Sequence, residues 1–310
     1  MPAPAPDEPS DPRTQAGPNP QHLLATVLGE YLDSAEADLP AAAVVAILAE
    51  FGITQASARA TLSRLTKRGL IARREGRRPL VYHLTPEALA RHHDHMERFL
   101  TFGSRPPVWT GQWLAVSFSL PEAQQAQRHA IRKLLSSLGF VRLYDSLWIR
   151  PGDDADPVAT ALADLLDGTD ARWSLLHTRF HEEAGAHGPA SGHDLTGLAA
   201  RYRAFIERYG GLRAAIHQGN LTPAAALVAR TSIMDSWRRF PDLDPDLPAH
   251  LLPDPWPRET ARELLLEVHA ALGEPAAARL VEITEPHWPV ARTWITYFRA
   301  GPDGRPVRAG

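Results

Sequence analysis

Apolar positions near the start of the chain recur at three- and four-residue intervals. Leu24, Val27, Leu28 and Tyr31 predict a first amphipathic helix over His22 to Leu32, and Val44, Ile47, Leu48 and Phe51 a second, begun at Leu39-Pro40 and ended by Gly52. A third runs from Thr54, a side chain able to cap it, to Lys67 or Arg68, with Gly69 just past its end. Its inner stripe is Ala58, Leu62 and Leu65. Two short apolar runs follow, Leu70-Ile71-Ala72 and Leu80-Val81-Tyr82, around a turn marked by Gly76 and Pro79. Three helices and a hairpin over residues 21–85 make a winged helix-turn-helix the predicted first domain. Thr85-Pro86-Glu87 then opens a connecting helix within 86–107.

After Arg105-Pro106-Pro107 the period changes. Leu114, Val116, Phe118 and Leu120 alternate with Trp113, Ala115, Ser117 and Ser119, as in a strand. A helix starting at Pro121-Glu122 carries the stripe Ile131, Leu134, Leu138. Strands over Phe140–Tyr144 and Leu147–Arg150, a helix from Asp156-Pro157 and a strand from Trp173 to Phe180 complete a β-α-β-β-α-β order. That order predicts a ferredoxin-like domain over 108–182. Residues 193–283 read as a mostly helical third domain. Its first helix, with Leu198, Tyr202, Phe205 and Tyr209, is expected to end at Gly210-Gly211. Another runs from Thr222-Pro223 to Phe240, where Pro241 stops it, and a last one covers Arg258 to Leu272 after the proline-rich Asp242–Pro257. Trp288, Trp294, Tyr297 and Phe298 in the tail, 284–310, follow no period. The whole is α+β. Residues 1–20, rich in Pro, Asp and Ala, read as a disordered arm rather than a signal peptide.

Charge changes the picture at one place. Between Arg59 and Arg78 stand eight Lys/Arg against Glu75 alone, a formal +7 in a chain whose net charge is −3, so the remainder carries −10. A cation run is most often a solvated face. Here the cations share one helix face and one hairpin tip, which points to a polyanionic partner, duplex DNA. Small Ala56, Ala60 and Ser63 in the middle of the outer face admit base edges; Gln55, Ser57, Arg59, Thr61, Arg64, Lys67 and Arg68 complete the predicted reading set, and Arg73, Arg74, Arg77 and Arg78 contact backbone. The absence of cysteine excludes a disulfide framework, and no run of eighteen apolar residues offers a membrane span, so the reading is a cytoplasmic protein. His92, His93 and His95 lack a completing carboxylate at ligand spacing, and no metal site is assigned. No phosphate-binding glycine loop, nucleophile elbow or HExxH occurs, so no catalytic residue is assigned.

Four stretches carry a family resemblance: ARATLSRLTKRGLI at 58–71, WTGQW at 109–113, LGFVRLYDSLWIRP at 138–151 and SWRRFPDLDPDLPAHLLPDPWP at 236–257. From Leu23 to Leu272 the chain resembles the PaaX-type repressors of phenylacetate degradation. The resemblance implies a homodimer joined through the ferredoxin-like domain, binding operator DNA with inverted half-sites and released by an acyl-CoA such as phenylacetyl-CoA. Such an effector needs cations and an apolar slot, for which Arg201, Tyr202, Trp237, Arg238, Arg239 and Phe240 are the candidates, although aromatics at helical spacing more often fill a core. No cofactor is expected beyond that effector. The ferredoxin-like domain also resembles a metal-dependent nuclease, but the first strand ends Ser117-Phe118-Ser119-Leu120-Pro121 with no carboxylate before Glu122 to hold the metal. A nuclease and a protein-binding adaptor remain the alternatives.

Overall fold

The computed structural model describes residues 19–76, 79–105, 110–180, 192–302 and 304–309. The Asn19 side chain accepts from Gln21 N–H at 3.0 Å and Pro20 needs no donor, so α1 starts there and runs Pro20–Tyr31. Leu39–Pro40, expected to begin a helix, form a two-residue strand, β1, because Leu39 and Pro40 pair with Tyr82 and Val81; α2 (Ala41–Ala49) begins behind them. Next come α3 (Gln55–Lys67), β2 (Ile71–Arg73), β3 (Val81–Leu84) and α4 (Pro86–Thr101). The three strands form one antiparallel sheet in the order β1-β3-β2.

The middle of the chain follows the predicted order with shifted ends: β4 (Trp113–Ser119), α5 (Gln125–Ser137), β5 (Val141–Tyr144), β6 (Leu147–Pro151), α6 (Asp156–Leu166) and β7 (Arg172–Thr178). They make a four-stranded antiparallel sheet, β5-β6-β4-β7. Alternation sorts its two faces: Leu114, Val116 and Phe118 pack with Ile131, Leu135, Val158 and Leu162 of the helices, while Trp113, Ala115 and Ile149 pack on the other face with Phe180 and Leu251.

Thereafter α7 spans Leu195–His217, straight through Gly210 and Gly211 rather than ending at them. Each interior glycine costs about 1 kcal/mol relative to alanine. That is too little to end a helix whose buried Tyr209 hydroxyl hydrogen-bonds Ser232 O and Ser236 Oγ and whose Arg213 Nε donates to Glu267 at 2.6 Å. α8 (Pro223–Trp237) stops before Phe240, and Pro241 sits inside the short α9 (Phe240–Leu243), where its missing N–H is harmless. The proline-rich segment holds one 3₁₀ turn, Ala249–Leu251. α10 (Arg258–Ala271) and α11 (Gly273–Thr284) follow, and the tail that showed no period folds as α12 (Ala291–Trp294) and a hairpin of β8 (Tyr297–Ala300) and β9 (Pro306–Ala309).

The chain divides into two compact units. The first takes the chain up to Thr101, Tyr209–Arg238 and Leu264 onward; the second takes Phe102–Arg208 and Arg239–Glu263. The first three helices therefore do not make their core alone. Leu24, Leu28, Val44, Leu48, Leu62 and Leu65 share one apolar cluster with Leu227, Leu280, Trp288 and Ile295.

Beside that cluster lies an ionic hub. Arg230 of α8 has no exposed surface, and its guanidinium donates to Glu30 Oε2 at 2.5 Å, Phe298 O at 2.6 Å and His269 O at 3.0 Å. It also lies 5.0 Å from the Tyr31 ring centre and 5.7 Å from that of Tyr297. His269 Nε2 meets the other Glu30 oxygen at 3.3 Å. Burial raises the Glu30 carboxyl, but Arg230 and His269 outweigh it and hold the pKa below the usual carboxylate range. Burial, then Arg230, lowers His269. Next door, the His92 ring lies directly on Gly29, so close that any Cβ there would overlap it, and burial pushes the imidazole down to about 4. Gly29 is thus required inside α1 by a side chain of α4.

Candidate nucleic-acid interface

The Thr54 hydroxyl caps α3 by accepting from Ser57 N–H at 3.3 Å. Gly69, at φ +68°, closes its far end, with Leu70 N–H donating to Leu65 O at 3.0 Å. Between these stops the helix has two unlike faces. Ala58, Leu62 and Leu65 are buried, as the stripe predicted, and Thr61 joins them with no exposed surface. Gln55, Ala56, Arg59, Ser63, Arg64, Lys67 and Arg68 are exposed, and Ser57 and Ala60 are half-buried at the margins. Thr61 thus differs from the reading set: three residues after Ala58 and four before Leu65, it turns inward.

The hairpin continues from this helix. The Thr85 hydroxyl donates to Gly69 O at 2.8 Å and accepts from Ala88 N–H at 3.2 Å, so one side chain joins the end of α3 to the start of α4. Arg73 is exposed at the tip of β2, opposite Tyr82. Arg74 is not directed outward like its neighbour: its guanidinium pairs with Asp38 and donates to Ala35 O at 3.3 Å. Gly76 takes φ +72° in the turn, and Arg77 and Arg78 lie outside the described residues. Arg68 Nη1 touches Gln21 Oε1 at 3.5 Å, a contact too long to hold the guanidinium back.

The six effector candidates fall in different surroundings. Tyr202 and Phe240 are brought together in the second unit, their rings stacked at 4.1 Å and 6°. The Tyr202 hydroxyl donates to Asp244 at 2.6 Å, and burial followed by that carboxylate raises its pKa far above normal. Trp237, in the first unit, is buried with its indole N–H on Phe99 O at 2.8 Å, and Arg238 Nε meets Asp235 at 3.1 Å. Arg201 and Arg239 are exposed. All three aromatics are therefore packed among protein atoms. Of the α4 histidines, His92 sits on Gly29, His93 pairs with Asp33, and His95 stacks on Phe99 at 5.7 Å. Among the described residues no three His, Cys, Asp or Glu side chains form a group that could hold a metal ion, and no helix is long and apolar enough to cross a membrane.

The hub and the Thr85 joint escaped sequence reasoning. Arg230 and Glu30 are 200 positions apart, and neither sits in a motif. Thr85 did carry a signal, as the cap of α4; its second bond to Gly69 needed the fold.

Residues 19–88 match the PaaX-like protein family, 106–187 the PaaX protein central Cas2-like domain and 193–282 the PaaX-like protein C-terminal domain. Transcriptional repressor PaaX of Escherichia coli (strain K12) is 27% identical over 269 residues, covering 84% of this chain and 82% of that protein. Uncharacterized protein Rv0674 of Mycobacterium tuberculosis superposes with a TM-score of 0.53 at 23% identity, over 83% of this chain and 96% of that one. Three consecutive matches in the same order, together spanning most of the residues, leave one assignment: the chain belongs to the PaaX-like family.

Proposed function

We propose that the protein is a DNA-binding transcriptional repressor whose residues 21–85 act as a winged helix-turn-helix. One observation carries the reading: after Gln55 the outer face of α3 is small or cationic, Ala56, Arg59, Ala60, Ser63, Arg64 and Lys67, and Arg68 and Arg73 extend it beyond the helix. In the proposed mechanism α3 enters a major groove, where arginines reach guanine edges or phosphates, and the hairpin follows the adjacent backbone. A homodimer joined through the ferredoxin-like sheet would present two such helices to inverted half-sites. An acyl-CoA such as phenylacetyl-CoA would release it, with a cytoplasmic location following from the role. The kinship with a repressor favours a regulator over an enzyme.

The test is a mobility shift on the DNA upstream of the protein's own coding sequence, with and without phenylacetyl-CoA. Four phosphate-neutralising cations per subunit would give a dimer slope of log K against log salt of about −7. Specific binding lost on adding the thioester supports the whole reading. Binding indifferent to it removes the effector and keeps the repressor. A slope near zero would remove the electrostatic mechanism.

A further inference from the structure

The cations of the basic stretch do not share one job. The three-stranded sheet has β3 in the middle, with β1 and β2 on its flanks. Arg74 stands just past the end of β2, where its N–H closes the hairpin by donating to Val81 O at 3.1 Å. Asp38 stands just before β1, whose Leu39 and Pro40 pair with Tyr82 and Val81. The Arg74 guanidinium spans from one outer strand to the other, pairing through Nε with Asp38 and through Nη2 with Ala35 O at 3.3 Å. Both partners are withdrawn from full solvent, with side-chain exposures of 36% and 26%. Arg73, one residue earlier, points into solvent. A strand alternates its side chains, so adjacent arginines at its end face opposite ways.

We propose that Arg74 and Asp38 are positioning residues for DNA reading. Their bond clamps β1 and β2 across β3 and so sets the direction in which the hairpin tip, with Arg73, meets the duplex. A two-strand hairpin joined to α3 by a short link is marginal by itself, and the clamp makes the end of β2, with Arg73, part of a braced sheet. Arg74 then contributes no phosphate contact. Asp38, an acid beside a DNA-binding surface, aids binding although its charge opposes it.

This inference rests on the DNA-binding reading, and the experiment separates the two. The full chain is titrated onto the duplex upstream of its own coding sequence and onto a random duplex of equal length, over a salt series. The variants are Arg73→Ala, Arg74→Ala, Asp38→Ala and the exchange Arg74→Asp with Asp38→Arg. If wild type discriminates neither duplex nor salt, the repressor reading itself fails. If it binds, Asp38→Ala is expected to weaken binding several-fold despite removing a negative charge. Arg74→Ala should weaken it by a similar factor, with the salt slope unchanged, whereas Arg73→Ala should reduce the slope by about one per subunit. The exchange should recover most of the affinity, which a phosphate-contacting Arg74 would not allow. Asp38→Ala binding as well as or better than wild type, or Arg74→Ala losing a full unit of slope, would overturn the clamp. Circular dichroism and unfolding midpoints on each variant distinguish a lost direction from a lost fold, and a variant that fails to fold leaves the exchange as the deciding measurement.

Discussion

Arg230 and Arg64 are the same residue in opposite circumstances. Arg230 has surrendered all its water and replaced it with a carboxylate oxygen, two carbonyls and two aromatic rings. Arg64 stands exposed on the outer face of α3. A buried guanidinium is tolerable only when its donors are matched and its charge is paired, so Arg230 is committed to one geometry. An exposed one keeps its donors for a partner that the chain does not contain. What separates the two arginines is desolvation: the helical pattern around Arg64 announced its exposure, but nothing near Arg230 announced its burial.

The comparison breaks most sharply at the hub. Arg230→Leu strands Glu30 in the core, and the expected loss is about 3–5 kcal/mol in denaturant unfolding. The double change with Glu30→Leu should recover much of it, because the uncompensated charge rather than the missing bond dominates the cost. A single variant as stable as wild type would mean that the hub is hydrated.

A pH titration of stability probes the same neighbourhood. The His92 pKa falls from 6.5 in the unfolded chain to about 4 in the fold. Between those values the unfolded chain binds the extra proton, so the stabilisation is complete above pH 6.5 and is lost as pH falls toward 4. At about 1.4 kcal/mol per unit the loss is at most roughly 3 kcal/mol. The lowered His269 acts in the same direction. His92→Gln should therefore flatten the slope without abolishing it; an unaltered slope would show that His92 is charged in the fold.

Arg64→Ala supplies the other half of the contrast. Binding to the upstream duplex should weaken by about 1–3 kcal/mol if the side chain reads a guanine, while the unfolding midpoint stays within about 0.5 kcal/mol of wild type, as expected of an exposed substitution. Lost stability with unaltered binding would exchange the two roles.

The sequence by itself determined the local elements whose signals lie within a few residues. Thr54, the Ala58-Leu62-Leu65 stripe and Gly69 delimit α3 because capping and amphipathicity act within a turn or two. The period-two pattern of Trp113–Ser119 likewise marks the central β4, paired at both edges by β6 and β7 and packed on both faces. Gly210-Gly211 misled because a local penalty of about 1 kcal/mol each is small beside the packing of α7. The tail gave no period because it docks on elements far away in the chain: Phe298 O accepts from Arg230, 68 positions earlier, and Trp288 and Ile295 join the core of the first three helices.

Only the tertiary structure decided which charges are spent inside and which remain for a partner. Arg74 turned to Asp38 across the sheet, and Arg230 met Glu30 across 200 positions. Burial is a property of the whole packed chain, so the inward turn of Arg74 and Arg230 could be read only from the fold, although the exposure of Arg59, Arg64, Lys67 and Arg68 was already in the helical pattern.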